Sequence, residues 1–293
     1  MTKADGKTAA ALLDTLALER IEVNLFRGAA PPNSGRRIFG GHVIAQALLA
    51  AYATVEDRLC HSIHCYFLRP GDPAIPILYE VDRARDGRAF VARRVTAIQH
   101  GEQIFNLAGS FQREEPGLDH QNDMPEGPAP EGLTTDADLK RALGVKLPPA
   151  LREDIIRARP IEMRPVNPQD ILNPQPMDGV NDIWMRAVDP LPDEIPANQA
   201  AIAYASDMAF MGTSMRPHGV NWQSSGLQHA SLDHAVWFHR PTNFNEWHLY
   251  HQRSPSASGA RGFNLGEIYS RDGRLVASTA QEGLMRYRPP VEV

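Results

Sequence analysis

The sequence predicts an α+β protein built from two tandem repeats, each a long buried helix wrapped by a curved antiparallel sheet. Two observations predict it. An aromatic pair followed by Arg-Pro is written twice, as "YFLRP" at residues 66–70 and "WFHRP" at 237–241. With the two Arg-Pro pairs aligned, each is followed by three strand-like segments and preceded by a segment rich in Ala and Leu. Internal repetition of this kind sets the architecture before any single element does.

Taken in order, the N-terminal stretch reads as an amphipathic helix, because its longest apolar run, Ala9 to Leu13, is broken by Asp14 and is too short for a signal or membrane segment. "RIEVNLFRG" at 20–28 reads as a strand and "GGHVIAQALLAAYATV" at 40–55 as a helix apolar nearly all round, hence buried. The strand ending in Arg69-Pro70 and three further strands follow, with turns at Asp86-Gly87 and His100-Gly101. Residues 113–159 are rich in proline and acid and weakly periodic, as a linker would be. The second repeat repeats the order: a strand at 181–188, a helix at 197–211, the strand ending in Arg240-Pro241, and three strands with a turn at Asp272-Gly273. The expected division is 1–115, a linker at 116–159, and 160–293, the last being the catalytic half.

Composition bounds the function. A hydrophobic share of 42% with 22% charged residues supports a sizeable globular core. A net charge of -5 excludes a dedicated nucleic-acid binder, which needs surplus Lys and Arg. The two cysteines, Cys60 and Cys65, support neither a zinc motif nor a disulfide framework, as expected of a reducing compartment. The ending "RPPVEV" is not a Ser-Lys-Leu peroxisomal address, so the expected location is the cytoplasm, without stable membrane insertion. His229, His234 and His239 recur every fifth residue, which alternates faces of a strand and is poor geometry for a metal. No metal is expected. A G-x-S-x-G elbow is absent as well.

The strings "RRIFGGHVIAQAL", "HSIHCYFLRPGDP", "LDHAVWFHRP", "SASGARGF" and "VASTAQEGLMR" resemble the acyl-CoA thioesterase II family, whose fold is a double hotdog, over about residues 20–287. The resemblance implies hydrolysis of medium- or long-chain acyl-CoA to free acid and CoA, without cofactor or covalent intermediate. It also implies assembly of copies into a dimer or tetramer. The family's catalytic positions fall on Asp207 in "YASDMAF", Ser231 in "ASLDHAVWFHRP" and Gln281 in "STAQEGLM". Many members carry Thr where Ser231 stands; Ser keeps the donor and acceptor and loses a methyl that restricts the rotamer.

Read from their own chemistry, these residues fit thioester hydrolysis. Asp207 lies among Ala, Ile, Tyr, Met and Phe, so on a buried helix its carboxylate must be paired or functional, and a raised pKa would suit a general base. On an exposed helix end it would be an ordinary solvated acid. Singly, Ser231 and Gln281 read first as ordinary polar sheet residues; with Asp207 they become groups that orient a water or donate to developing charge. Gly40 and Gly41 would open the first helix, where free amides could meet a thioester oxygen or a phosphate, with His42 as an assistant. A plain helix start and a buried, satisfied histidine would use the same residues. Arg88, Arg93, Arg94 and Arg261 could grip the CoA phosphates, of which Arg88 and Arg261 are the substrate-binding choices; a solvated or ion-paired strand face is the plainer account of each. Arg69 and Arg240 read as strand-closing residues. Two rivals stay open: a non-catalytic acyl-CoA-binding hotdog protein and a hotdog enoyl-CoA hydratase, although the Asp-His pair after a Gly-Asp turn that a hydratase needs is missing.

Overall fold

A computed structural model describes residues 12–31, 35, 37–144 and 157–288. The first repeat runs α1 (Leu12–Leu16), β1 (Leu18–Glu22), β2 (Leu25–Gly28), α2 (Gly40–Tyr52), β3 (Leu59–Phe67), β4 (Ile77–Asp86), β5 (Phe90–Gln99) and β6 (Glu102–Gln112). After it come α3 (Asp136–Gly144), β7 (Ile161–Pro165), β8 (Val180–Ala187), α4 (Ile195–Ser206), a single-turn α5 (Gly212–Met215), β9 (Leu227–Ser231), β10 (Asp233–Phe238), β11 (His248–Ser258), β12 (Arg261–Ser270) and β13 (Leu275–Tyr287). This is the α+β double hotdog that the sequence predicts.

All thirteen strands join one antiparallel sheet, ordered β1-β2-β4-β5-β6-β3-β10-β13-β12-β11-β8-β7, with β9 also on β13. The two repeats meet where β3 pairs β10, from Asp233 opposite Tyr66 to Trp237 opposite Ser62. Strand alternation turns one face inward, as in the pattern Leu78 and Glu80 out, Ile77, Tyr79 and Val81 in, along β4. Inside, α2 and α4 pack against each other, with Ile44, Ala47, Leu48, Ala201 and Ala205 at 0% exposure. Small residues let the two backbones approach, and helices this uniformly apolar have nowhere else to go. Their buried amides are satisfied: Gln46 Nε2 donates to Thr15 O and Ala29 O and Oε1 accepts from Tyr79, while Gln199 Nε2 donates to Cys60 O.

Several elements differ from the expectation. The N-terminal helix survives only as Leu12–Leu16, since residues 1–11 lie outside the described residues. The strand expected over 20–28 is a hairpin. Its turn at Val23-Asn24 is held by Val23 N donating to Glu22 Oε1 at 2.7 Å and by Arg83 Nε donating to Asn24 Oδ1 at 2.9 Å, chemistry that asparagine favours in turns. The helix expected over 197–211 stops at Ser206, with Asp207 as its C-cap. The strand leading to Arg240 breaks at Leu232 into β9 and β10, because the Asp233 carboxylate takes the Glu282 amide at 2.8 Å in place of a backbone carbonyl. Within 116–159 stands α3, with the first turn of its Thr135 cap closed by Asp138 N donating to Thr135 Oγ1 at 3.0 Å.

The Arg-Pro motif does the same work twice. Leu68 N and Arg69 N both donate to Ile104 O, and Arg69 Nη1 reaches Gln103 O at 2.8 Å. In the second repeat His239 N and Arg240 N both donate to Val276 O, and Arg240 Nη1 reaches Leu275 O at 2.8 Å. These contacts make Ile104 equivalent to Val276. By that equivalence Gly109, and not Ser110, takes the place of Gln281. Arg240→Met keeps the aliphatic stem and removes the donors to Leu275 O, His120 O and Asp119. Hydrogen bonds from charged groups are worth about 1.5–3 kcal/mol. Urea denaturation of this variant is expected to show a loss of about that size, with the activity of the folded fraction unchanged.

Candidate active site

Asp207 is delivered to the seam between the repeats by the abrupt end of α4. Capping that helix, it is followed by Met208 and by Ala209 at φ 60, a left-handed conformation that costs a non-glycine residue about 1–2 kcal/mol. The chain turns there, so the carboxylate faces the N-terminus of α2 instead of continuing along a helix.

Two donors converge on it. Gln281 Nε2 donates to Asp207 Oδ1 at 2.7 Å, and the Gly41 amide in the first turn of α2 donates to the same carboxylate. The surrounding desolvation outweighs both bonds and raises the pKa above the ordinary 3.8. Yet the group is still reachable: Asp207 lines a cavity of about 1960 Å³, as do Gly40, Phe67, Tyr204, Met211 and Ser231. A carboxylate that is desolvated, raised and open to one cavity is the arrangement a general base requires. Its titratable neighbours Cys65, Tyr204 and Tyr250 are all pushed upward by burial and stay neutral.

The glycines at the helix start are needed for approach. A β-carbon on Gly40 would lie 2.7 Å from Asp207 Oδ2 and 2.9 Å from the Phe67 ring, and one on Gly41 would strike Tyr204 O. A short run without side chains is what lets the positive end of α2 touch an acid at the end of α4.

The other expected residues fall in different places. Ser231, the last residue of β9, is partly exposed on the cavity wall opposite Gly283 of β13. His42 is buried, donates from Nε2 to Ala29 O at 3.0 Å and is held near a pKa of about 4 by burial, so it is neutral; it is not among the cavity's lining residues. Arg88 is exposed between β4 and β5, with its carbonyl taken by Arg58, and Arg261 pairs with Glu282 at 2.8 Å. Neither lines the cavity. Arg93 is buried against Thr54 and Asp86, a structural role. The three histidines separate: His229 stacks edge-on to Trp222 at the cavity, His234 bonds Ser206 in the core, and His239 meets Ser278.

Sequence reasoning missed the cations that do line the cavity, notably Arg37, Lys140 and Arg159. Lys140 is lowered chiefly by burial, with Asp136 opposing and Arg159 adding to the shift, so two positive groups are held close on one wall. Arg37 stands two residues before the glycine pair and could have been flagged from that adjacency. Arg159 and Lys140 lie in what reads as linker, where nothing marked them. A smaller cavity of about 470 Å³, between residues 124–127 and Trp184, holds none of the expected residues.

Comparison with known proteins agrees with this geometry. The family described as "Acyl-CoA thioesterase" matches residues 152–284, and "Acyl-CoA thioesterase N-terminal domain" matches 29–112. Acyl-CoA thioesterase 2 of Haemophilus influenzae is 40% identical over 277 residues, 94% of this chain and 97% of the relative. The chain belongs to the acyl-CoA thioesterase II family. Human acyl-coenzyme A thioesterase 8 is 39% identical over 94% of this chain and 89% of its own. The crystal structure of the acyl-CoA thioesterase II TesB2 of Mycobacterium marinum superposes with a TM-score of 0.77 at 40% identity, covering 95% of this chain and 99% of that one.

Gly40→Ala tests the close approach directly. The added methyl must displace either the Asp207 carboxylate or the Phe67 ring, and displacement of about 1 Å at a reacting group costs on the order of 10² in rate. The expected result is a folded protein, by circular dichroism, with kcat reduced by about that factor.

Proposed function

We propose that the chain hydrolyses medium- or long-chain acyl-CoA to free fatty acid and CoA by direct attack of a water that Asp207 activates, with Ser231 and Gln281 orienting it. Family membership makes it an acyl-CoA thioester hydrolase; the observation that supports this particular assignment is the desolvated Asp207 carboxylate between Gln281 Nε2 and the Gly41 amide, open to the same cavity as Ser231.

In this reading the water's proton passes to Asp207 as its oxygen bonds the thioester carbonyl carbon. The carbonyl oxygen takes up the negative charge, for which the amide of Gly40 at the start of α2 is the nearest helix-end donor. Collapse of that intermediate breaks the carbon–sulfur bond, and the proton on Asp207 goes to the departing thiolate. Ser231 holds the water from the other side. The acyl chain lies along Phe39, Phe67 and Met211, and the phosphates of CoA meet Arg37 and Arg159. Chemistry thus belongs to the C-terminal half, residues 160–293, while the N-terminal half supplies the end of α2 and part of the wall. Assembly into a dimer or tetramer and action in the cytoplasm belong to the same proposal; light scattering and cell fractionation would test them. No helix among the described residues is long and apolar enough to cross a membrane.

The deciding experiment follows free CoA with a thiol reagent during incubation with palmitoyl-CoA. Asp207→Asn preserves volume and removes the proton acceptor, so kcat is expected to fall by about 10² to 10⁴ with KM little changed. Ser231→Ala and Gln281→Ala should act in the same direction by less. Turnover of the Asp207 variant at the wild-type rate would refute the assignment, and release of no CoA by wild type would favour a binding protein.

Stability gives an independent check. Because the folded pKa of Asp207 lies above the ordinary 3.8, the native chain holds this proton more tightly than the unfolded one. Stability is therefore lost as pH rises from the ordinary value to the raised folded one. Asp207→Asn is expected to melt at or above the wild-type temperature at pH 7, so that lost activity cannot be ascribed to unfolding.

A further inference from the structure

We propose that Asn264 and Gln252 are positioning residues for the hydrolysis: through a relay of side-chain amides across neighbouring strands they fix which end of the Gln281 amide faces Asp207. This rests on the reading of Asp207 as the base, and it concerns residues that touch neither substrate nor Asp207.

Gln252, Asn264 and Gln281 are each at 0% exposure and stand on adjacent strands, β11, β12 and β13, on the face toward α4 and α5. Asn264 is directly opposite Gln281. Gln252 is opposite Gly266, two residues along the same face of β12 from Asn264, so only a glycine intervenes. Side chains directly opposite have β-carbons about 5 Å apart and diagonal ones about 7–8 Å.

The pattern of occupied and unoccupied polar atoms gives the row a direction. Gln252 Oε1 accepts from Thr213 Oγ1 at 2.6 Å and from Asn181 Nδ2 at 3.1 Å, leaving Nε2 without a protein partner. Neither amide atom of Asn264 has a protein partner, and neither has Gln281 Oε1, whose Nε2 is committed to Asp207. The four unpartnered atoms therefore run donor, acceptor, donor, acceptor: Gln252 Nε2 toward Asn264 Oδ1, and Asn264 Nδ2 toward Gln281 Oε1. Buried amides left unsatisfied are costly, so three on neighbouring strands of one face gain by pairing with one another.

Both ends of the row are fixed. At one end Arg216 Nη1 approaches Asn181 Oδ1 at 3.5 Å, a long contact, and a guanidinium can only donate. At the other end ionised Asp207 can only accept. Between an obligate donor and an obligate acceptor every amide has one favoured orientation. Without Asn264, Gln281 is free to turn its carbonyl toward Asp207, which favours the protonated acid and disables the base. The titratable groups around Asp207 do not confuse this readout. Cys65 on β3, Tyr204 on α4 and Tyr250 on β11 all titrate above their ordinary values. Asp233, which lies near Cys65, is raised by its own burial and is present in every variant.

The test compares wild type, Asn264→Leu, Asn264→Thr, Gln252→Met and Asp207→Asn with palmitoyl-CoA across pH, with melting temperatures measured alongside. Leu has the same branching as Asn and carries no polar atom, though it is bulkier, so its melting temperature is read beside its kinetics. It is expected to lower kcat at least about tenfold with KM within about twofold, and to move the acid limb of kcat/KM to higher pH. Thr, which can both donate and accept, is expected to restore most of both. Gln252→Met, one step farther along, should shift the limb in the same direction by less, and it remains decisive if Asn264→Leu does not fold. A wild-type acid limb in folded Asn264→Leu and Gln252→Met overturns the relay, as does a loss of kcat that merely tracks a lowered melting temperature. If Asp207→Asn keeps its turnover, the parent reading has failed; if it loses turnover while the other variants titrate like wild type, the relay alone has failed.

Discussion

The carboxylate of Asp207 is the constraint around which both repeats are arranged. A charge removed from water is tolerated only where donors replace the lost solvent. Here one donor comes from each repeat, the Gly41 amide from the first and the Gln281 side chain from the second. Neither half could assemble this site alone. The pairing of β3 with β10 and the packing of α2 on α4 are therefore the conditions for holding this carboxylate, because they bring the N-terminal end of one helix against the C-terminal end of the other.

Duplication explains why the scaffold is symmetric while its polar residues are not. The backbone contacts of the two Arg-Pro motifs correspond residue for residue, so the sheet places Gly109 where the second repeat has Gln281, and the C-cap of α2 is Ala53 where that of α4 is Asp207. The first copy has given up the polar pair and kept the frame. What it retains is the glycine pair at the start of α2, and that is a backbone function. Side chains there would overlap the Asp207 carboxylate, the Phe67 ring and Tyr204 O.

Much of this was legible in the sequence because it rests on local chemistry. The two all-apolar helices announce burial, and Asp-Gly or His-Gly between apolar runs announces hairpins, including the His100-Gly101 turn with both φ angles positive. Asp207, Ser231 and Gln281 were reached through family motifs; Gln281 bonds Asp207, and Asp207 and Ser231 line the same cavity. What stayed hidden depends on long-range packing. The break at Leu232 requires Asp233 to find the Glu282 amide 49 residues away. Two cations of the cavity wall, Lys140 and Arg159, come from the segment 116–159, whose composition reads as linker. Arg88 and Arg261 drew attention as arginines on strands, and only tertiary structure reveals that one is a solvated turn and the other is tied to Glu282.

The polar residues of the second repeat also look different once the sheet is known. In a strand, a buried Asn264 or Gln252 taken singly is a local cost, and a sequence that conserved stability alone would place an aliphatic side chain there. The first repeat differs in composition: where the second carries Gln252, Asn264 and Gln281, the equivalent positions of the first are Val81, the buried Arg93 and Gly109. A frame that folds without those amides in one copy keeps them in the other, where the acid lies. Buried polarity, raised acidity and the left-handed Ala209 are all concentrated within the same few strands and one helix end.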